Sequence, residues 1–389
     1  MVDFRLSPND LGILEQLRQE GLAARRYARH YDEHEEEVSP AKLPEADAFP
    51  ALVERIRQRP SADTPPATFQ MLMSIARSWG DTVMLRRPPT ALGNAALLAT
   101  GTPEQKERWG QTALAMAITE PGCGSDSKAI KTTARRDGDS WVLSGEKIFV
   151  TSGIRAQGVV VWATVDPRRG RAGIKSFVVM KGSPGFEITR KEKKLGIRSS
   201  DTAAMTFTEC RIPLDHLLGG DESTPRQGSG GFRGVMKTFN MTRPGVAAGG
   251  IGKARASLDF THDALAAEGV RVDWERGRNA RSAAEARLVQ MEADTEAATL
   301  AVLRAAWLAD VNEENNLEAS IAKSKGGEVS RTVPQGCIEV LGAMGASREH
   351  LVEKWLRDGR ITDIYEGTGQ IQRLIIARAI FGYTSEELS

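Results

Sequence analysis

The sequence contains few of the residues that commonly bind metals. Its 389 residues include three cysteines and five histidines. Cys123, Cys210 and Cys337 lie far apart, and none has a second cysteine or a histidine at the spacing of a metal site. His30 and His34 share one face of a predicted helix, which fits a weak metal site or, more simply, a solvated helix face. We therefore predict no metal site.

The sequence also lacks an excess of charge of one sign and has no long apolar run. Lys and Arg total 52 while Asp and Glu total 51, so no net charge attracts nucleic acid or an anionic membrane. No segment approaches the ~20 apolar residues of a membrane-spanning helix. The segment from Met1 to Asp10 lacks the basic and then apolar layout of a signal peptide. We expect a cytoplasmic protein without a nucleic-acid partner and without a membrane span.

The sequence also has no Rossmann dinucleotide motif and no complete phosphate-binding loop. The segment Gly249-Gly-Ile-Gly-Lys253 contains part of such a loop, but it lacks the spacing and the Ser or Thr that follows the lysine. Close packing of two helices explains these glycines better.

The residue pattern divides the chain into three parts. Hydrophobic residues make up 40% of the chain, which is enough for a large core in two or three subdomains. Residues 1–115 have helical patterns, and Thr102 precedes one of these helices as a cap. An amphipathic first helix is indicated by Leu11, Leu14, Leu17 and Leu22.

The other two parts differ in periodicity. Residues 116–225 contain short β segments separated by Gly, Pro and Asp. These segments begin at Thr132, Trp141, Val159, Lys175, Phe186 and Ala204. A Gly- and Ser-rich linker at 219–231 marks the next boundary, and residues 226–389 return to long helical patterns. We predict domains at 1–115, 116–225 and 226–389.

One carboxylate, Glu366, lies on a glycine-bearing turn before an apolar helix. Thr368 is a plausible N-cap of that helix. Apolar residues recur at helical spacing at Ile371, Leu374, Ile375 and Ala379, so we expect the helix to bury one face and to hold the turn rigidly. A shielded carboxylate has a raised pKa and can act as a general base. A solvated acid that is favoured by the helix dipole is the alternative interpretation.

Four more segments precede this turn in a fixed order. They are Met116 to Asp126, Gly145 to Gly153, Lys194 to Thr202, and Phe239 to Pro244. The first is a Gly- and Ser-rich turn whose backbone N–H groups can surround a polar ligand. Together with the Glu366 turn, the four segments resemble the acyl-CoA dehydrogenase family, and the likeness extends from about Gly93 to Arg378.

The resemblance implies a fold, an activity and partners. The implied fold is α+β, with an N-terminal helical domain, a central β domain and a C-terminal four-helix bundle. The implied activity is the FAD-dependent α,β-dehydrogenation of an acyl-CoA thioester to the trans-2-enoyl-CoA, in the catabolism of fatty acids or related acyl groups. An electron-transfer flavoprotein or a similar acceptor would then receive the electrons. Family members are usually tetramers, so we expect a homotetramer.

The resemblance also assigns residues. Glu366 matches the base that removes the α-proton while the β-hydride passes to the flavin. Flavin contacts are matched by Met116, Ile118, Thr119, Gly124, Ser125, Phe149, Val150, Thr151, Thr368 and Gln370. Acyl-CoA contacts are matched by Ser125, Ser200, Asn240, Arg243, Gly367 and Arg378. Phe149 stands where the family usually has Trp. Arg243 and Arg378 could instead form ion pairs in the bundle, and Ser200 could be an ordinary turn residue.

The chain departs from the family at positions that contact a neighbouring subunit's FAD. Arg271 matches such a contact, but Asp273 and Glu275 follow it and the expected Gln is missing; Glu339 stands where the family has Gln. Like charges ~4 Å apart repel by roughly 4 kcal/mol at an effective dielectric constant of 20. Basic groups at Arg271, Arg276 and Arg278 could compensate. The segment from Arg55 to Arg86 is also short and lacks the usual Gly-rich loop.

Two other functions remain open at this point. One is a subunit that completes its flavin site only in a heterotetramer with a paralogous dehydrogenase chain, or that is catalytically silent. The other is a flavin oxidase or oxygenase of the same superfold. The intact Glu366 motif favours a dehydrogenase.

Overall fold

The computed structural model describes residues 6–34, 66–81, 91–223, 230–384 and 387. At residues 128, 230–241 and 278 it describes the backbone alone. The chain forms two compact units. The helical unit consists of Met1–Arg86, Leu195–Ser199 and Asn240–Ser389, and the sheet unit consists of Arg87–Lys194 and Ser200–Phe239. The three predicted domains stay a prediction, and most of the short segment from Arg55 to Arg86 lies outside the described residues.

The helices and strands have the following bounds in chain order. The helices are α1 Pro8–Glu33, α2 Ala67–Trp79, α3 Leu92–Thr100, α4 Pro103–Trp109, α5 Gly230–Ala267, α6 Ala283–Asp310, α7 Asn316–Leu341, α8 Ala343–Ala346, α9 Val352–Gly359 and α10 Gly369–Phe381. The strands are β1 Leu114–Ala117, β2 Thr133–Asp137, β3 Ser140–Thr151, β4 Gly158–Thr164, β5 Ile174–Met180, β6 Phe186–Lys191 and β7 Thr202–Pro213. None of the helices in the described ranges has the length and apolarity that crossing a bilayer requires.

The helical unit is built around one apolar core. Side chains of α2, α5, α6, α7 and α9 meet there, with Trp79, Ile251, Leu288 and Trp355 among the buried residues. Burial of this apolar surface is the main driving force that holds the helices together. In α1, Leu17 is buried, whereas Leu11 and Leu22 are exposed. The amphipathic first helix therefore forms, but its buried face includes only part of the leucine pattern.

Of the three glycines predicted to serve helix packing, Gly250 and Gly252 do so, whereas a Cβ atom on Gly249 would meet nothing within 4 Å. A Cβ atom on Gly250 would lie 2.7 Å from Thr362 Cγ2, and one on Gly252 would lie 2.7 Å from Ser78 Cβ. Both distances are too short for a Cβ contact, so only glycine allows α5 to approach its neighbours this closely. Lys253, the lysine of the partial phosphate loop, pairs with Asp81 at 2.6 Å.

The sheet unit contains one seven-stranded sheet within its described residues. The strand order is β1-β4-β2-β3-β7-β6, and β5 pairs with β4. All six predicted strand segments are confirmed. β1 was not predicted as a strand, because the short apolar run Leu114–Ala117 has no alternation to distinguish it from a helix. β1 and β4 run parallel, and β4 is buried along its whole length.

The helix that begins after Thr102 is also confirmed. Thr102 Oγ1 accepts from Gln105 N at 3.2 Å, while Gln105 Oε1 accepts from Thr102 N at 3.0 Å, which completes a capping box. The buried Gln105 side chain also donates to Asp215 O and Leu217 O. These bonds attach α4 to the end of the sheet.

Candidate active site

Glu366 lies on a turn with an unusual backbone. Its φ is +55°, and φ of Gly367 is +92°, so two consecutive residues adopt left-handed conformations. Such a φ costs a non-glycine residue of order 1 kcal/mol and persists only where the surroundings enforce it. Thr368 caps α10 as predicted, because its hydroxyl accepts from Ile371 N at 3.3 Å. The turn therefore presents Glu366 next to the start of a helix.

The carboxylate of Glu366 is half-buried and has one strong hydrogen bond. Thr242 Oγ1 donates to Glu366 Oε2 at 2.6 Å. Burial raises the pKa of Glu366 above its usual value, and this effect outweighs the opposing influence of Thr242, Lys323 and Arg243. A carboxyl group with a raised pKa is a better proton acceptor when ionised. These features fit a shielded base better than a solvated acid.

Two buried side chains support the turn from inside the bundle. Lys323 Nζ donates to Thr362 O at 2.6 Å and to Gly367 O at 3.1 Å. Gln372 Nε2 also donates to Gly367 O, at 3.2 Å. A Cβ atom on Gly367 would collide with the Gln372 amide. Glycine at 367 is therefore required both by the left-handed φ and by the space available.

The prediction that α10 buries its apolar face is wrong: in the single chain this face is largely accessible to solvent. Leu374 is 49% exposed and Ala379 is exposed, while Ile371 and Ile375 are half-buried. The buried residues of α10 are instead Gly369 and the polar Gln372, whose side chain contacts the turn. The turn is thus held by the cap and by polar contacts rather than by apolar packing of α10.

In the sheet unit, the first two predicted flavin segments lie side by side. Met116 belongs to β1, and Ile118 and Thr119 continue from its end. Ile148 N donates to Thr119 O at 2.9 Å, and Lys147 Nζ donates to Ile118 O at 2.9 Å. Gly124 and Ser125 lie on the exposed turn that follows. The structure therefore brings the segment after β1 next to the end of β3.

A buried ion pair fixes this arrangement. Lys147 Nζ lies 2.8 Å from Glu120 Oε1, and the lysine side chain is fully buried. Glu120 also accepts from the backbone N–H groups of Lys131 and Thr132. A buried pair of this kind is tolerated because its remaining polar atoms are satisfied. Sequence reasoning did not single out either residue, although both lie within the quoted motifs.

Phe149 is displayed outward by an irregularity in β3. The pairing of β3 with β7 shifts register between Lys147 and Val150, and Phe149 has a φ of +57°. Phe149 is 61% exposed, whereas Val150 is buried in the sheet core. Thr151 is exposed and pairs with Thr202. Val150 can therefore contact a ligand only through its backbone.

These residues fit a flavin by their chemistry. An exposed aromatic ring on a strained backbone next to half-buried apolar side chains suits a flat, largely apolar ring. A Cβ atom at Gly124 would meet nothing within 4 Å, so the backbone of this turn is open to a ligand. Ser125 and Thr151 add exposed hydroxyls that can bond the polar edge or the chain of a flavin.

The segment before Ser200 is anchored in the helical unit. Arg357 Nη1 donates to Leu195 O at 2.9 Å, and Ile197 N donates to Asp358 Oδ1 at 2.6 Å. Ile197 has a φ of +41°, which is a further strained residue next to a predicted site position. Ser200 is buried, and its carbonyl accepts from Lys194 Nζ.

Comparison with known proteins gives one consistent result. The family model for the acyl-CoA dehydrogenase middle domain matches residues 115–210, and that for the C-terminal domain matches residues 229–381. The mitochondrial short-chain specific acyl-CoA dehydrogenase of Mus musculus is 37% identical over 319 residues, which are 79% of this chain and 73% of the mouse protein. The cyclohex-1-ene-1-carbonyl-CoA dehydrogenase of Geobacter metallireducens is 35% identical over 301 residues, 74% of this chain and 75% of that protein.

The chain belongs to the acyl-CoA dehydrogenase family. It is an oxidoreductase that acts on acyl-CoA, and members of this family are flavoproteins. The solved structure of butyryl-CoA dehydrogenase from Megasphaera elsdenii has a TM-score of 0.81 and 27% identity, and the match covers 98% of this chain and 100% of that one. The likeness confirms the predicted α+β fold with helical, β and helical parts.

Two acidic residues that depart from this family's pattern, Asp273 and Glu339, each form an ion pair with an arginine of the same chain. Glu339 lies 3.4 Å from Arg287 and accepts from Gln335 at 3.0 Å. Asp273 lies 3.7 Å from Arg276, one of the arginines predicted to compensate it. Arg271 is exposed in the connection between α5 and α6, and Glu339 lies on α7. The side chain of Arg278 is outside the described residues.

The other predicted contacts are distributed over the helical unit. Arg243 is buried on α5 near Glu366, and burial lowers its pKa. Gln370 is exposed in the first turn of α10. Arg378 is half-buried further along α10, where its Nε has no hydrogen-bond partner among the described residues. The side chain of Asn240 lies outside the described part of the chain.

Sequence reasoning missed three residues of this enzyme that contact the Glu366 turn: Thr242, Lys323 and Gln372. Thr242 stands between two residues of a quoted motif, Asn240 and Arg243, but a hydroxyl gives no signal of its own in a sequence. Among the described residues, no group of three or more His, Cys, Asp and Glu side chains could hold a metal ion.

Proposed function

We propose that the enzyme converts an acyl-CoA thioester to the trans-2-enoyl-CoA, with the carboxylate of Glu366 taking the α-proton while the β-hydride would pass to a bound FAD. The single observation that carries this proposal is the half-buried Glu366 carboxylate on a left-handed turn, bonded to Thr242 at 2.6 Å. A rigid turn supports proton transfer because a fixed base loses little entropy in reaching the transition state. The raised pKa of Glu366 brings its basicity closer to the working pH.

The α-proton of a thioester is weakly acidic, so its removal requires stabilisation of the charge that develops on the carbonyl oxygen. No described residue accepts a hydrogen bond from the backbone N–H of Glu366, which leaves this group available as a donor to that oxygen. Arg243, buried near Glu366, adds positive charge to the same region. Thr242 supports the ionised carboxylate by donating a hydrogen bond to it.

FAD is the cofactor that we propose, and when bound it supplies the two-electron acceptor for the β-hydride. Met116, Ile118, Thr119, Gly124 and Ser125 would hold it after β1, with Phe149, Val150 and Thr151 from β3. For Thr368 and Gln370, and for the positions Arg271 and Glu339, the proposal rests on the matched motifs alone. Ser125, Ser200, Asn240, Arg243, Gly367 and Arg378 are the proposed acyl-CoA contacts.

A short acyl chain is the substrate class to test first, because the mouse relative is named a short-chain specific enzyme. A panel of linear, branched and cyclic acyl-CoA thioesters with an artificial electron acceptor measures this preference. An electron-transfer flavoprotein is the proposed natural acceptor. A homotetramer is the proposed assembly, with a heterotetramer as the alternative, and the cytoplasmic location stays a prediction.

The test of the base is Glu366→Gln, which keeps the size of the side chain and removes the proton acceptor. We expect enoyl-CoA formation to fall by about 10²- to 10⁴-fold, the usual contribution of a general base, while bound yellow flavin is retained. Glu296→Gln is the matched control, since Glu296 is an exposed carboxylate paired with Arg255 in the same unit. Near-normal turnover in Glu366→Gln would exclude Glu366 as the base.

A further inference from the structure

Lys323 occupies an unusual position beneath the Glu366 turn. Its side chain, on α7, is fully buried. Its ammonium group donates to Thr362 O at 2.6 Å and to Gly367 O at 3.1 Å. These two carbonyls belong to residues on either side of Glu366, so one side chain ties both ends of the segment that carries the carboxylate.

The lysine is buried without a direct counter-ion in the described part of the chain. The charged groups that act on it are Asp363 and Glu366 from the turn and Arg243 from α5. Burial lowers the pKa of Lys323 to about 8. Burying an ammonium group away from a carboxylate is costly. The cost is offset here by hydrogen bonds to the turn, which suggests a role that a neutral side chain would not fill.

Gln372 provides an internal comparison. Its amide donates to the same carbonyl, Gly367 O, at 3.2 Å, and it is also fully buried. It also donates to Glu366 O at 3.5 Å. Gln372 is uncharged, however. Loss of Gln372 therefore removes hydrogen bonds from the turn without changing the charge near Glu366, whereas loss of Lys323 removes hydrogen bonds and a positive charge.

We propose that Lys323 is a positioning residue for proton transfer: its ammonium group holds the Glu366–Gly367 turn in place and favours the ionised form of the Glu366 carboxylate. This inference rests on the proposed role of Glu366 as the base. Lys323 does not touch the substrate; it acts through the residue that does. The positive charge favours the carboxylate over the carboxylic acid, as an opposite charge nearby does in general.

The experiment compares three flavin-loaded variants with the wild-type enzyme, using a saturating acyl-CoA substrate across pH 5 to 10. Lys323→Met removes the charge and the hydrogen bonds, and Gln372→Met removes only hydrogen bonds, those to Glu366 O and Gly367 O. Lys175→Met is the matched control, because Lys175 is also buried and donates to a backbone carbonyl, Asp221 O, at 2.7 Å. Lys175 lies on β5 and has no proposed role in catalysis.

We expect Lys323→Met to lower kcat about tenfold or more, with little change in KM, and to move the acid limb of the kcat profile upward by roughly half to one pH unit. Gln372→Met should lower kcat and leave the acid limb in place. Lys175→Met should change neither. An unchanged kcat or an unmoved acid limb in Lys323→Met would overturn the proposal. If Lys323→Met does not fold, Lys323→Gln replaces it; failure of both to fold would also overturn it, since the lysine would then hold the bundle rather than the turn.

A second measurement does not depend on activity. The pKa of Lys323 is about 8 in the folded protein and 10.5 for an unperturbed lysine, as in the unfolded chain. Between these two pH values the unfolded chain therefore binds more protons than the folded protein. The stability of the wild type relative to Lys323→Met should therefore rise as pH increases from 8 to 10.5. A difference that does not vary with pH would contradict a buried, charged lysine.

The panel also separates this inference from the proposed function. Near-normal turnover in Glu366→Gln would reject the base, whatever Lys323 does. An inactive Glu366→Gln together with a normal Lys323→Met would reject the role of Lys323 alone.

Discussion

At the scale of single residues, strained backbone conformations occur in the segments that form the proposed site. Glu366, Phe149 and Ile197 all have positive φ values, at +55°, +57° and +41°. Each belongs to one of the five motifs that the chain shares with its family, and each non-glycine residue in this region of φ costs free energy that the rest of the fold must offset. A β-branched isoleucine at positive φ is especially unfavourable. The strain is consistent with selection for the position of a side chain or of the backbone rather than for stability.

Thr242 gives a prediction at this scale. Its hydroxyl donates to Glu366 and opposes the rise in the pKa of that carboxyl group. Thr242→Val keeps the shape and removes the donor, so the pKa of Glu366 should rise further. Because the base must be ionised, the acid limb of the kcat profile should move to higher pH, and activity at pH 6 should fall by more than activity at pH 9.

The control for Thr242→Val is Thr295→Val, since Thr295 is a buried threonine whose hydroxyl bonds within α6 to Met291 O. Steady-state rates across pH check the prediction. An acid limb that stays at the wild-type pH in Thr242→Val would mean that the hydrogen bond does not influence the ionisation of Glu366.

At the scale of secondary-structure elements, close contact between helices positions the site. Gly250 on α5 faces Ser330 on α7 and Thr362, the residue whose carbonyl Lys323 binds. Gly252 on the same helix faces Ile75 and Ser78 of α2. The approach of α5 thus brings Thr242 and Arg243 to Glu366. Side chains at the two glycines would push these helices apart.

We therefore predict that Gly252→Ala destabilises the protein by about 1–3 kcal/mol, the usual cost of overpacking a filled core. Gly249→Ala is the matched control three residues earlier on the same helix, where a Cβ atom would meet nothing within 4 Å. That change should be neutral or should stabilise by about 0.5–1 kcal/mol, because alanine favours a helix over glycine. Urea unfolding followed by circular dichroism measures both. Equal stabilities for the two variants would show that α5 can shift at no cost.

At the scale of the whole molecule, Asp273 and Glu339, which depart from the family's sequence pattern, concern the affinity for FAD. The resemblance to the family predicts that these positions face a neighbouring subunit's cofactor. Arg287 and Arg276 lie within 4 Å of these acids, so part of the negative charge is already neutralised. Both acids are about half exposed, and exposed ion pairs contribute little.

We predict that the chain purified alone carries less than one FAD per subunit, and that Glu339→Gln raises FAD affinity. The reason is that the mutation removes a negative charge from a position matched to the cofactor's second half. Absorbance gives FAD per chain, and light scattering on the same sample gives the assembly, which we expect to be a tetramer. Full FAD occupancy after extensive dialysis would show instead that this chain completes its own site.

The sequence by itself determined the local features of this protein. The cap residues Thr102 and Thr368 act on N–H groups three residues away, so short motifs were enough to predict them. Six strands were predictable because turn residues separate them. The five ordered motifs were sufficient to predict the family and, with it, the fold; that Glu366 is the base stays a prediction.

Only the tertiary structure decided how Glu366 is shielded and held. Thr242 and Glu366 are separated by 124 residues and Lys323 and Gly367 by 44, so no local pattern joins them. The same limit explains the error at α10: periodicity marks an apolar face, but neighbouring elements decide whether that face is covered. The pKa of Glu366, the proposed base, depends on burial and on charges brought from distant parts of the chain, which come together only once the helices have packed.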